Sequence, residues 1–176
     1  KYPAEAGLSY STETLLRMAE DIEQFIAIKE VCYTCADHYQ LWNALKGKVS
    51  IFVTAGDTVD MLGQMMIGSD GAQAGIMAIG RQNWSQFISQ CLNGKYTEAR
   101  NIYMEKLAPI ADHIYGVPLR ATHSSRTGGT TALIKEALVA LGTFSSARVR
   151  PPDLDATKEE REGIRGLLKR LQLLPE

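Results

Sequence analysis

The sequence predicts an α/β fold, with parallel strands joined by crossover helices and an all-helical region behind them. Three observations point there. Short apolar runs alternate with stretches of helical periodicity from Ser11 to Ile79. Glycines and cap-forming residues fall at the junctions between them. Beyond Ile79 only helical spacing follows.

Ser11 or Thr12 caps a first amphipathic helix through Glu13, Leu15, Leu16, Met18 and Ala19, ending near Asp21, because a side-chain oxygen there accepts a first-turn backbone N–H. Phe25-Ile26-Ala27-Ile28 is a short apolar run, read as a strand buried on both faces, as in parallel sheets. Helical spacing returns from Ala36 to Leu45 through Tyr39, Leu41 and Trp42, with Gly47 as its stop. Val49 to Val53 is the second strand. Asp57 caps a helix through Val59, Leu62, Ile67 and a packed stripe of Met61, Met65 and Met66, closed by Gly68 and Gly71. Gly75 to Ile79 is the third strand.

The remainder reads as helix: Trp84 to Leu92 closed by Gly94, then Tyr96 to about Ile114 with a kink at Pro109 and His113 on its surface. Thr131 to Leu141 is a helix stopped by Gly142, Arg150-Pro151-Pro152 an extended linker, and Thr157 to Leu173 a terminal helix with Lys158, Glu159, Glu160, Arg161 and Arg165 on its solvated side. Alternating strands and helices imply right-handed crossovers, either in an open doubly wound sheet or in part of a (β/α)8 barrel. Three strands cannot close a barrel, and a complete one takes about 250 residues. The chain has 176 residues and begins Lys1-Tyr2-Pro3 without an initiator methionine, as expected of a piece of something longer.

Composition narrows the function classes. Lys+Arg of 19 against Asp+Glu of 20 leaves a formal charge of -1, so no net field draws the protein to nucleic acid or an anionic membrane. No apolar run approaches the roughly 18 residues of a spanning helix. Three cysteines cannot all pair within one chain, and with no signal-peptide layout the expected setting is the reducing cytoplasm.

Lys29 is the most informative residue, since it ends an apolar run at the carboxyl edge of a strand, where α/β folds place active sites. Partial desolvation there disfavours an ammonium, and a free amine attacks a carbonyl to form a Schiff base. The competing reading is a lysine that snorkels from a strand end. Strand alternation points Glu30 away from Lys29. Gly56, after the second strand, lets backbone approach a ligand, whereas Asp57 and Asp60 read as helix-start carboxylates. Arg81, just past the third strand, could hold an anionic group. Cys32-Tyr33-Thr34-Cys35, with His38 and Cys91, could be a redox pair, although no metal spacing is present. The loop from His123 to Thr131 lacks the Walker lysine and reads as an ordinary capped connection.

With Lys29 on a strand, the chain resembles, end to end, the C-terminal part of the dihydrodipicolinate synthase/N-acetylneuraminate lyase family. Pro3 to Gly7 is similar to the stretch after the family's fifth strand, Ile28-Lys29-Glu30 to its Schiff-base strand, and Ala55-Gly56-Asp57 to its seventh strand end. Gly71-Ala72-Gln73-Ala74-Gly75-Ile76 is similar to the eighth-strand motif. Ile134-Lys135-Glu136-Ala137-Leu138 and Val149-Arg150-Pro151-Pro152 resemble motifs of the helical extension. The resemblance implies a partial (β/α)8 TIM barrel, with barrel βα units over residues 1–94 and the last barrel helix and C-terminal helical region over 95–176.

The resemblance further implies that Lys29 is catalytic and that Gly56 and Ile76 give backbone walls to a pyruvoyl pocket. It implies no metal or organic cofactor, and a homotetramer. The family's carboxylate-binding motif and proton-relay tyrosine fall upstream of Lys1, Tyr2 being one place too close to Pro3. Two departures bear on the substrate. The family's synthases place an arginine where this chain has Glu5, and Met77 and Arg81 replace a serine and an asparagine near the eighth strand. The expected function is therefore a lyase acting on a 2-oxo acid, pyruvate or a keto-deoxy sugar acid, by aldol cleavage, condensation or dehydration. The alternatives are 4-hydroxy-tetrahydrodipicolinate synthase proper, a non-catalytic family member acting as a binding or regulatory module, and a thiol protein using Cys32 and Cys35.

Overall fold

A computed structural model of the protein describes residues 10–31, 34–54, 58–115 and 129–174. These carry three strands, β1 (Ala27–Glu30), β2 (Ser50–Val53) and β3 (Gly71–Ala72), in one parallel sheet of order β1-β2-β3. The helices are α1 (Thr12–Asp21), α2 (Cys35–Leu45), α3 (Thr58–Ile67), α4 (Arg81–Leu92), α5 (Tyr96–Ile102), α6 (Ala108–Tyr115), α7 (Gly129–Ala140) and α8 (Lys158–Arg170). The α/β class and the parallel strands agree with the sequence reading. The chain divides into two compact units, one of residues 1–74 and 85–101, the other of 75–84 and 102–176.

The first unit holds the sheet. Ser11 caps α1 by accepting the Thr14 N–H at 3.1 Å, and Thr34 caps α2 by accepting the Asp37 N–H at 3.1 Å. Leu15, Ile28, Leu41, Leu45, Val49 and Ile51 form its core, with α1 and α2 packed together. The first strand starts two residues later than its apolar run and is not buried on both faces. Ile26 is 73% exposed, and the strand buries Ile28 and Glu30 on one side only. Hydropathy misplaced it because one of its two inward residues is an acid. Met61 and Met65 are buried as expected, but Met66 is exposed on the outer side of α3.

The third strand is also displaced, to Gly71–Ala72, and the expected strand residues Gly75–Ala78 wind into a 3-10 turn instead. Side-chain caps rather than apolar alternation place it: the Ile51 N–H donates to Asp70 Oδ2 at 2.8 Å and the Asp70 N–H returns to the Ile51 carbonyl at 3.0 Å. Gly68, which ends α3, has φ +142°, and a Cβ there would lie 2.4 Å from Trp42 Cε2. Gly68→Ala is expected to cost about 2–4 kcal/mol, combining left-handed strain with a backbone-to-indole clash. An unfolding free energy from denaturant titration within about 0.5 kcal/mol of the unsubstituted protein would contradict this.

In the second unit, α6 packs on α7 and α8, and α7 also covers the 3-10 turn. Tyr103, Leu107, Ile110, Ile114, Ala132, Leu133, Ile164 and Leu168 are buried there. The kink expected at Pro109 is a π-helical turn over Tyr103–Leu107, just before it. Proline cannot donate to the carbonyl four residues back and its ring crowds that carbonyl, so the ladder widens upstream. The segment Arg150-Pro151-Pro152 turns rather than extends, with the Asp153 N–H on the Arg150 carbonyl at 3.0 Å and Asp155 Oδ1 accepting from Val149 at 2.9 Å. His113 is half-buried rather than on an open surface, its Cε1 3.1 Å from where a Gly163 Cβ would stand. Thr157 and Glu160 close a capping box at the start of α8.

Candidate active site

The strand register assigns the two faces of the sheet. Lys29 pairs with Phe52, and Phe52 with Gly71. Residues in register on parallel strands share a face, so Lys29, Phe52 and Gly71 lie together opposite Ile28, Glu30, Ile51 and Val53. Lys29 is the next-to-last residue of β1, at the carboxyl edge, and is half-buried. The Phe52 ring leans over β3, where a Cβ on Gly71 would stand 2.9 Å from its Cε1. Glycine at position 71 thus leaves room for the ring over β3.

On the opposite face sits a polar group that sequence reasoning passed over. Glu30 and His38 are both completely buried, with His38 Nδ1 2.5 Å from Glu30 Oε1. His38 Nε2 lies 2.7 Å from the Gly68 carbonyl, and the Trp42 ring stacks on the imidazole at 6.5 Å between centroids. A carbonyl only accepts, so Nε2 carries a proton. One proton is then shared between Nδ1 and Oε1, and the pair is net neutral wherever it resides. The spacing from Glu30 to His38 was the available signal, since an acid at an inward strand position needs a partner on the covering helix.

Ile76 and Arg81 belong to the second unit, Ile76 buried in the 3-10 turn with its carbonyl accepting the Ile79 N–H at 2.9 Å, Arg81 exposed at the start of α4. Gly56, Asp57, Cys32, the residues from Lys1 to Ser9 and most of the loop from His123 lie outside the described residues. Burial pushes the Cys35 thiol up, and the Asp60 charge and hydrogen bond push it further the same way. A thiol held protonated is a poor nucleophile, the opposite of what a redox pair requires. Among the described residues no three His, Cys, Asp or Glu side chains gather to hold a metal ion, and no helix is long and apolar enough to cross a membrane.

Burial pushes the Cys91 thiol up to about 11 from 9.0. The folded state therefore keeps its proton after the unfolded state has lost it, and the stability Cys91 contributes falls away as pH rises from about 9 to about 11. Relative to Cys91→Ala, the unsubstituted protein is expected to lose more stability over that interval. Parallel curves for the two proteins would contradict this.

The profile of the dihydrodipicolinate synthetase family matches residues 1–171. The chain belongs to this family. Within the dihydrodipicolinate synthetase family it is 26% identical over 167 residues to a 4-hydroxy-tetrahydrodipicolinate synthase of Symbiobacterium thermophilum, covering 94% of this chain and 51% of that protein. The dihydrodipicolinate synthase structure from Aquifex aeolicus superposes with a TM-score of 0.82 at 19% identity, over 100% of this chain and 55% of the other. A prophage protein of the dihydrodipicolinic acid synthase family from E. coli K12, solved in complex with pyruvate, gives 0.79 at 20% identity, over 98% and 55%. The chain thus spans about half the length of these relatives. Its fold is the corresponding part of the family's TIM barrel, followed by helices.

Proposed function

We propose that the protein is a lyase in which Lys29 forms a Schiff base with a 2-oxo acid. The observation that carries this reading is the place of Lys29: next to last in a parallel strand, half-buried, on the face opposite the packed helix α2. Active sites of such folds form at the carboxyl ends of the strands. Family membership and the pyruvate complex of one structural relative support it.

In this reading the Lys29 amine adds to the keto carbon, and the carbinolamine loses water to give an iminium. The iminium accepts the electron pair released when a C–H or C–C bond at the neighbouring carbon breaks, leaving an enamine. The enamine then adds to an aldehyde, takes a proton, or expels a hydroxyl, and water returns to free the lysine. Family membership supports Gly56 and Ile76 as backbone walls for the pyruvoyl group and Arg81 as the partner of an anionic substituent. The assembly is a homo-oligomer, a tetramer, and the free thiols of Cys35 and Cys91 suit the cytoplasm.

The test is inactivation. Borohydride with pyruvate should abolish 2-oxo acid lyase activity irreversibly, whereas either reagent alone should leave it intact. Full activity after the combined treatment would overturn the Schiff-base reading. The names of the curated relatives favour a second reading, the synthase proper, against which Glu5 stands as a like charge towards a carboxylated second substrate. Condensation of pyruvate with aspartate semialdehyde decides between them.

A further inference from the structure

Directly after Lys29 the chain buries an acid, and the imidazole that meets it reaches on to the backbone of Gly68. We propose that the Glu30–His38–Gly68 relay is a positioning device for the reacting amine, locking the carboxyl end of β1 from the packed side of the sheet so that Lys29 keeps its attacking geometry on the other. The proposal rests on the reading of Lys29 as the Schiff-base nucleophile.

Glu30 is one residue from Lys29 on the opposite face, so any rotation about the backbone between them re-aims both side chains. The Glu30 carbonyl already accepts the Thr54 N–H at 3.1 Å, which ties the same residue to the chain just beyond β2. Through His38 the relay adds α2, and through Gly68 it adds the end of α3, so one strand end is held by three elements. Gly68 is itself held, by its N–H on the Gln64 carbonyl at 3.1 Å and by the indole of Trp42 packed against it.

The pair is net neutral, so it fixes the strand end without placing an uncompensated charge behind the amine. Apolar side chains of similar size would serve stability as well or better, because a buried pair seldom repays its desolvation. Apolar contacts, however, do not prescribe direction. Two hydrogen bonds from one planar ring do, and a displacement of about 1 Å at a reacting group can cost about a hundredfold in rate.

The test measures imine formation between pyruvate and the full-length protein, quenched with borohydride over time and read as adduct mass per chain. Thermal unfolding is followed for each variant. Glu30→Gln keeps both hydrogen bonds, since its amide N–H donates to Nδ1, and is expected to trap within about threefold of the unsubstituted rate. The apolar pair Glu30→Leu with His38→Leu removes the relay and both buried ionisable groups together. It is expected to regain most of the stability that His38→Leu alone loses, yet to trap at saturating pyruvate at least about tenfold more slowly. The half-saturating pyruvate concentration should move less than the maximal rate.

A purely structural pair predicts that rate follows stability back. Trapping at the unsubstituted maximal rate in the folded double variant overturns the proposal. If that variant does not fold, His38→Gln, whose amide reaches only one of the two partners, replaces it, and equal maximal rates for it and Glu30→Gln overturn the proposal. Absence of any Lys29 adduct in the unsubstituted protein instead overturns the Schiff-base reading, an outcome distinct from adducts that all variants form equally.

Discussion

Lys29→Ala is expected to lower 2-oxo acid turnover by at least about a thousandfold, or about 4 kcal/mol of transition-state stabilisation. In the proposed mechanism the amine is the group that becomes covalent with substrate, and Phe52 and Gly71, in register with it, offer no amine in its place. Lys29→Arg should fare no better, because a guanidinium keeps the charge and most of the stem but stays protonated and does not add to carbonyls. Neither change should disturb folding by more than about 1 kcal/mol, since the side chain lies on the face opposite the Ile28 and Ile51 core. Turnover and thermal unfolding measured on the same samples check both halves. Activity above about a tenth of the unsubstituted rate would contradict the account.

The largest stability effect is expected at the buried pair. His38→Ala takes the imidazole from a completely buried Glu30 and from the Gly68 carbonyl, and leaves a cavity beside Trp42. Breaking a buried pair on one side costs about 3–5 kcal/mol. Against a typical total of about 5–15 kcal/mol, that brings the first unit close to unfolding at ambient temperature. Urea denaturation of His38→Ala is the check, and a loss below about 1 kcal/mol would show that water replaces the imidazole without penalty.

The helices were legible in the sequence because their ends are marked chemically. Ser11 sits as a cap where capping logic puts it, Thr157 marks the start of the terminal helix, and Gly68 closes α3 as expected. Strands marked only by apolar runs were less so. Phe25 and Ile26 extended the first run beyond its strand, and Gly71–Ala72, too small to give a hydropathy signal, was passed over for the apolar residues behind it. The placement of Lys29 at a strand end survives both shifts, since it depends on where β1 stops. The Glu30–His38 pair was passed over although its spacing offered a signal, because charge reads as exposure until a partner is known. Side-chain partnership across 8 residues of loop and helix is a tertiary fact.

Peptide mapping of the adduct decides whether Lys29 is the nucleophile. The protein is incubated with pyruvate, reduced with borohydride, digested and sequenced by mass spectrometry. The account predicts one reduced pyruvoyl group per chain, on the peptide containing Ile28-Lys29-Glu30 and lost in Lys29→Arg. An adduct on a different lysine, or none on any, would contradict it.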